Sequence, residues 1–423
     1  MVRLLKWLGF ALALFGLVLA AVALGLQHWL RTEDFRARVE QQASAALGVP
    51  LKLGRLSVDL WPLPAVAADD VRLQTRPPLT VRRVEARPVW AGLLAGRLEI
   101  ATLVVRHAVL PQAGIAALGA AMQKKEKGAG HRASTPAAPG EPSTVVLPQR
   151  ALLDDITWVD EKGQRMTVHA EMDLDSDGLL DQASFRIVQG RFAGTRGSIE
   201  RKGAQWPLRV DIGGGSITGK LQWQPGAKPG TRVLQGQLTT EDVEVSALTA
   251  PSKPLTGKLQ AQTTLHSEFR EPGQLVDALT TQTQFTVRDA VVLGLDLRKA
   301  VQTVGLSRGG ITRLDTLAGQ VATRGKSAHI THLVASSGSL AATGEVSIAP
   351  SKALSGRINV DMGKSLGVPL AVGGTLDAPS VTLTRGAMVG AAVGTLLAPG
   401  VGTGAGAAAG GSLGEKLKGL FGR

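Results

Sequence analysis

From Phe285 to Leu383 apolar residues recur at every second position, in one short segment after another. Ile330, His332 and Val334 share one parity; Leu340 with Ala342, Val346 with Ile348, Ile358 with Val360 and Met362, and Val381 with Leu383 repeat the pattern. Gly-Gly, Ser-Gly, Ala-Pro and Gly-Lys pairs punctuate the segments and supply turn chemistry. A period of two puts one apolar face on an extended strand and leaves the other polar, which no helix does. The region is therefore read as an antiparallel β-meander. Its apolar face has to be covered by a second layer, a helix or acyl chains. It carries no nucleophile, no clustered acids and no metal-ligand spacing.

Composition sharpens this. Aromatic residues make up 4% of the 423, with no Tyr and no Cys. A core must be assembled from Leu, Val, Ala and Ile, and both disulfide and thiolate chemistry are excluded. A net charge of +13 suits an anionic partner such as a lipid surface, although the arginines are scattered and solubility alone also accounts for them.

The N-terminus is read as a membrane anchor over residues 1–31. Arg3 and Lys6 precede an apolar run that includes Trp7, Leu8, Phe10, Leu12, Leu14, Phe15, Leu17, Leu19, Leu24 and Leu26. About 20 such residues span a ~30 Å hydrocarbon layer. Trp7 and Trp29 fall at its two interfaces, and the basic residues before it keep the N-terminus cytoplasmic. A cleaved signal peptide ending near Ala21-Val-Ala23 is the competing reading. Thr32 to Gly48 follows as a helix, with Thr32 as N-cap, Glu33 and Asp34 in the first turn, and a stop at Gly48 and Pro50. From Leu51 the pattern turns β, with a bulge expected where parity slips at Gly54–Arg55.

The order of these N-terminal features resembles the AsmA-like family. After the anchor come a helix ending in Leu47-Gly-Val-Pro, then Leu53-Gly-Arg-Leu-Ser-Val-Asp-Leu-Trp-Pro, then Val84 to Trp90 leading into Leu93-Leu-Ala-Gly-Arg-Leu-Glu-Ile. Val292-Leu-Gly-Leu-Asp-Leu297, the Thr312 to Ala322 stretch and Val368-Pro-Leu-Ala-Val-Gly-Gly-Thr-Leu-Asp-Ala-Pro379 are similar to that family's C-terminal module. The resemblance implies an inner-membrane anchor with a periplasmic body, a role in cell-envelope biogenesis, and a grooved β structure that carries lipid.

The chain is accordingly divided into an anchor (1–31), a helix with strands (32–120), a disordered linker (121–150), a middle β region (151–284), a C-terminal β module (285–384) and a Gly/Ala-rich tail (385–423). In the linker, Lys124-Lys-Glu-Lys leads into Pro136, Pro139 and Pro142 without apolar periodicity. In the tail, Gly386, Gly390 and Gly394, then Gly402, Gly406, Gly410 and Gly414, repeat every four residues around Pro399-Gly400. That spacing fits a tightly packed helical hairpin associated with a membrane. A disordered tail is the alternative, since Gly lowers helix propensity.

Two motifs tempt a metal reading. Asp173-Leu-Asp-Ser-Asp-Gly178 begins like a calcium loop, but Ser184 occupies the position of the bidentate Glu. His329 and His332 are three apart, which places them on opposite faces of a strand. No cofactor and no nucleic-acid partner is expected.

The fold class expected is mainly β: a curved, groove-like antiparallel sheet with one transmembrane helix, a few short helices and the Gly-rich tail. The function expected is non-enzymatic. The apolar face, with Val346, Ile348, Ile358 and Val360 facing lipid, would bind or transfer phospholipid. The alternative is a scaffold for outer-membrane protein assembly that pairs with partner strands at a sheet edge. An envelope hydrolase lacks a visible nucleophile–base set.

Overall fold

A computed structural model describes residues 33–59, 65–89, 100–130, 148–175, 179–250, 254–270, 274–303, 309–338, 340–363, 367–384 and 386–388. The residues assigned to the anchor, and all the tail glycines beyond Gly386, lie outside these. Among the described residues no helix is long and apolar enough to cross a membrane. The chain is mainly β and forms two compact units that meet in sequence between Gly194 and Thr195. The division falls inside the stretch expected as one middle β region.

The first unit opens with α1 (Glu33–Leu47). It ends in a left-handed Gly48, whose N–H returns to the Ser44 carbonyl. Polar bonds attach it to the next strand: Ser44 Oγ accepts from Leu51 N at 2.8 Å, and Glu40 Oε1 accepts from Leu53 N at 2.8 Å. Eight strands follow: β1 (Leu51–Lys52), β2 (Arg55–Asp59), β3 (Ala65–Leu73), β4 (Leu79–Pro88), β5 (Ile100–Pro111), β6 (Arg150–Val159), β7 (Arg165–Leu174) and β8 (Leu180–Gln189). Both β1 and β2 pair with β3, and the rest pair in sequence order.

One junction departs from the antiparallel expectation, because β5 and β6 run parallel. A parallel pair needs a long return connection. Here the connection begins with α2 (Gln112–Gly130). Residues 121–130, expected as the start of a disordered linker, are thus helical. Ala, Gln, Lys and Glu propagate a helix without an apolar stripe, and it is composition, not periodicity, that carries this one. The rest of the expected linker, 131–147, lies outside the described residues.

The second unit is an antiparallel meander of twelve strands. They are β9 (Arg196–Glu200), β10 (Gln205–Ile212), β11 (Gly215–Pro225), β12 (Arg232–Glu244), β13 (Leu255–Phe269), β14 (Thr280–Leu293), β15 (Ile311–Arg324), β16 (Ser327–Ser337), β17 (Leu340–Ile348), β18 (Leu354–Met362), β19 (Val368–Thr375) and β20 (Ala378–Leu383). Each pairs antiparallel with the next. The β10–β11 hairpin closes on Gly213 and Gly214, both at positive φ, which suits the right-handed twist of the strands it joins. Short helices α3 (Val245–Thr249), α4 (Leu275–Ala278) and α5 (Leu297–Gln302) interrupt the meander.

Helix α5 covers the core of this unit. Asp296 caps it by accepting from Lys299 N at 2.9 Å, and the buried Thr312 hydroxyl donates to Leu295 O and accepts from Leu297 N. Leu297 and Ala300 then pack with Val287, Leu317, Ala335, Ala342, Val360 and Val368. Cross-strand pairing places Val287, Leu317, Ala335, Ala342, Val360 and Val368 in a single row from β14 to β19.

Among the described residues, six in strands sit in the left-handed region: Asp70, His107, Asp155, Asp242, Asp289 and His332. Asp and His tolerate that conformation better than most side chains. Each precedes an aliphatic residue: Val71, Ala108, Ile156, Val243, Ala290 and Leu333. Such a residue inverts the pleat. Val287 and Ala290, of opposite parity on either side of Asp289, are both buried in the core, and so are Leu314 and Leu317 on the facing strand. The irregularity expected at Gly54–Arg55 takes this form. The pairing with β3 keeps one register from Leu51 to Asp59, and the distortion sits on the partner strand at Asp70, against which a Cβ on Gly54 would collide.

Asp289→Val is therefore expected to destabilise the second unit by about 1–2 kcal/mol, because a β-branched side chain is strained at φ 51°. Asp289→Gly should stay within a few tenths of wild type. Urea midpoints at unchanged slope read the difference.

Candidate functional site

The four residues expected to face lipid divide into two pairs. Ile358 is 7% exposed and Val360 1%, and both belong to the core beneath α5. Side chains already packed by their own protein have no surface left to offer a ligand. Val346 and Ile348, further along the same face, are half-buried, and Val346 packs against the edge of that core. They lie in two adjacent rows that run across the sheet. One row reads Leu238, Thr263, Thr283, Val321, Ile330 and Val346 from β12 to β17; the next reads Leu265, Thr281, Thr323, Ala328, Ile348 and Leu354 from β13 to β18. All twelve are half-buried.

The threonines do not spoil the apolar character of this strip. Thr263 and Thr283 join hydroxyl to hydroxyl at 2.9 Å, and Thr281 and Thr323 do so at 2.7 Å. Paired in this way, each hydroxyl is partly satisfied within the wall. Short elements bound the strip at its two ends. On one side lies the α5-covered core. On the other, Ser267 Oγ donates to the Leu275 carbonyl of α4, and Phe269 packs edge-on against Trp223 with centroids 5.7 Å apart. At usual strand spacing the first row is roughly 24 Å long.

The first unit carries a second such face, which sequence reasoning missed. Its rows read Leu56, Ala68, Val84, Val105, Leu153, Ala170 and Phe185, and beside them Val66, Ala86, Leu103, Ala151, Met172 and Ala183. Every one is apolar, yet Val66 is 43% exposed and Phe185 36%. The signal was present as short alternations in separate segments. Only strand pairing, including the parallel β5–β6 junction, lines them up.

The alternate rows of these strands are charged. Glu85, 5% exposed, lies among arginines: Arg83 Nε at 2.7 Å, an Arg106 guanidinium nitrogen at 2.5 Å and Arg87 at 3.6 Å. Arg83 also reaches Asp69 at 3.1 Å. Burial acts to raise the Glu85 pKa, but the Arg83 hydrogen bond and the charges of Arg106, Arg83 and Arg87 outweigh it, so the carboxyl titrates below its ordinary value. This lattice holds β3, β4 and β5 in register. It offers no nucleophile next to a base.

His329 and Asp175, weighed for metal binding, have other partners. His329 Nδ1 bonds Ser347 Oγ at 2.7 Å, while His332 is one of the left-handed residues. Asp175 accepts from Leu179 N at 2.9 Å. Among the described residues no group of three His, Cys, Asp or Glu is arranged to hold a metal ion.

No family model matches this chain, and no curated protein or solved structure matches it.

Proposed function

We propose that the chain is an inner-membrane-anchored, non-enzymatic protein of the cell envelope that binds phospholipid acyl chains on the apolar strips of its sheets and passes them along. The observation that carries this reading is the half-buried strip through Val346, Ile330 and Val321, together with its counterpart through Val84, Val105 and Leu153. Water-soluble domains seldom leave contiguous apolar surface of this extent without an occupant. An acyl chain suits such a surface because it needs no hydrogen bonds and tolerates a continuous strip of methyl groups. The resemblance to AsmA-like proteins, the N-terminal apolar run and the basic balance of the chain point the same way.

The full chain, purified with native lipid and exposed to a phospholipid bearing a diazirine in its acyl chain, is expected to crosslink on light at β16 and β17. Val346→Asp should cut the yield at least fivefold while lowering the melting transition by only several degrees, with the fold kept. Absence of crosslinks above the level of a soluble control protein would remove the proposal.

A further inference from the structure

The opposite side of β12 to β16 has different chemistry. Gln262 pairs across to Gln284, and Gln284 to Gln320; Thr239 and Thr331 extend this row on either side. Thr264 and Gln282 begin the next row. The three ladder glutamines are exposed. They floor a depression of about 650 Å³ and share it with an adjoining one of about 380 Å³.

The chain holds 47 Lys and Arg, yet none lines either depression; Glu241 and His332 are the ionisable residues at the larger one. Charge returns around this patch, with the cross-strand Lys258 and Arg288 next to Gln260 and Thr286 on β13 and β14, Lys220 on β11 and the Glu345–Arg357 cross-strand pair on β17 and β18. An ordinary solvated sheet face in so basic a protein would carry charge throughout. Here the central row across five adjacent strands, Thr239, Gln262, Gln284, Gln320 and Thr331, presents only amides and hydroxyls.

We infer that this trough binds a neutral oligosaccharide. Each Gln amide offers both donors and an acceptor, and each Thr hydroxyl offers both roles. A ligand rich in uncharged hydroxyls can meet such a set group for group. An anion would find no countercharge in the lining, and the neighbouring Arg288 is already paired with Asp242; an acyl chain would strip water from amides without replacing its hydrogen bonds. Strands about 4.8 Å apart repeat at a distance comparable to the length of one sugar ring along a chain, so successive strands can address successive rings. The row from β12 to β16 extends roughly 19 Å on that spacing. This site lies on the face opposite the acyl-chain strip and does not depend on that strip's function.

The test uses the full chain in phosphatidylcholine nanodiscs, which avoids sugar-based detergents. Maltohexaose and hexa-N-acetylchitohexaose are the neutral probes, and hexagalacturonate is the anionic comparator. Saturable binding of at least one neutral hexamer is expected by titration and by saturation-transfer NMR. Combining Gln284→Ala with Gln320→Ala should weaken it at least tenfold at an unchanged melting temperature, since both side chains are exposed. Val346→Asp, on the other face, should leave it within twofold. The inference is overturned if neither neutral hexamer binds, if the double variant binds like wild type, or if hexagalacturonate binds more tightly.

Discussion

Ile358→Asp is expected to abolish cooperative folding of the second unit. The side chain is 7% exposed and sits in the row beside Val360, against Leu370 and beneath the cover that α5 provides. A carboxylate there has no charged partner. It must either be desolvated or take up a proton, at a cost on the order of 5 kcal/mol. Removing the isoleucine also leaves a cavity worth a further 2 kcal/mol or so. Domains are typically stable by only about 5–15 kcal/mol, so the two losses together consume most of the margin. Circular dichroism on heating should show a lost or strongly lowered transition for this unit. Val346→Asp is the contrast. Val346 is half-buried, its carboxylate reaches water, and the expected cost is about 1–2 kcal/mol with the fold kept. If Ile358→Asp melts like wild type, the α5-covered row is no core, and the division between structural and ligand-facing residues fails.

Glu85→Gln is expected to cost the first unit roughly 2–3 kcal/mol at neutral pH, the usual loss for a broken buried pair reduced because the arginines are partly solvated. Their side chains are 29–38% exposed, so they recover some hydration when the carboxylate is removed. The pH dependence follows from the lowered Glu85 pKa. A carboxyl that titrates lower when folded than when unfolded contributes stability that is complete above its unfolded value, near 4.5, and is lost as pH falls through the folded value. Wild type and Glu85→Gln should therefore differ most from pH 6 to 7 and converge in acid. Urea denaturation at a series of pH values from 7 down to 3 measures this. A constant gap across that range would mean that the carboxylate charge contributes nothing and that the variant acts through packing alone.

Local patterns in the sequence were enough to place strands. Period-two alternation is a property of consecutive residues, and it marks the strands of the C-terminal meander; it slips where Asp289 and His332 invert the pleat, so that Val334, expected on the same face as Ile330, is 51% exposed on the other. Helix α2 was missed because its charged and alanine-rich stretch has propensity without periodicity. The six left-handed Asp and His residues left a trace as slips in parity, recognised only at Gly54–Arg55, where the distortion belongs to the facing residue Asp70.

The apolar face was a matter of sequence; its division into core and open strip was not. Ile358 and Val346 are both aliphatic, lie on the same face and obey the same alternation. They differ because Asp296 caps a six-residue helix that folds over one end of the strands and stops there. Burial depends on what arrives from elsewhere in the chain, and a strand's own pattern holds no record of that. The same reason hid the glutamine row and the first unit's apolar rows. Each is assembled from single residues on many strands, and only the pairing of those strands brings them side by side.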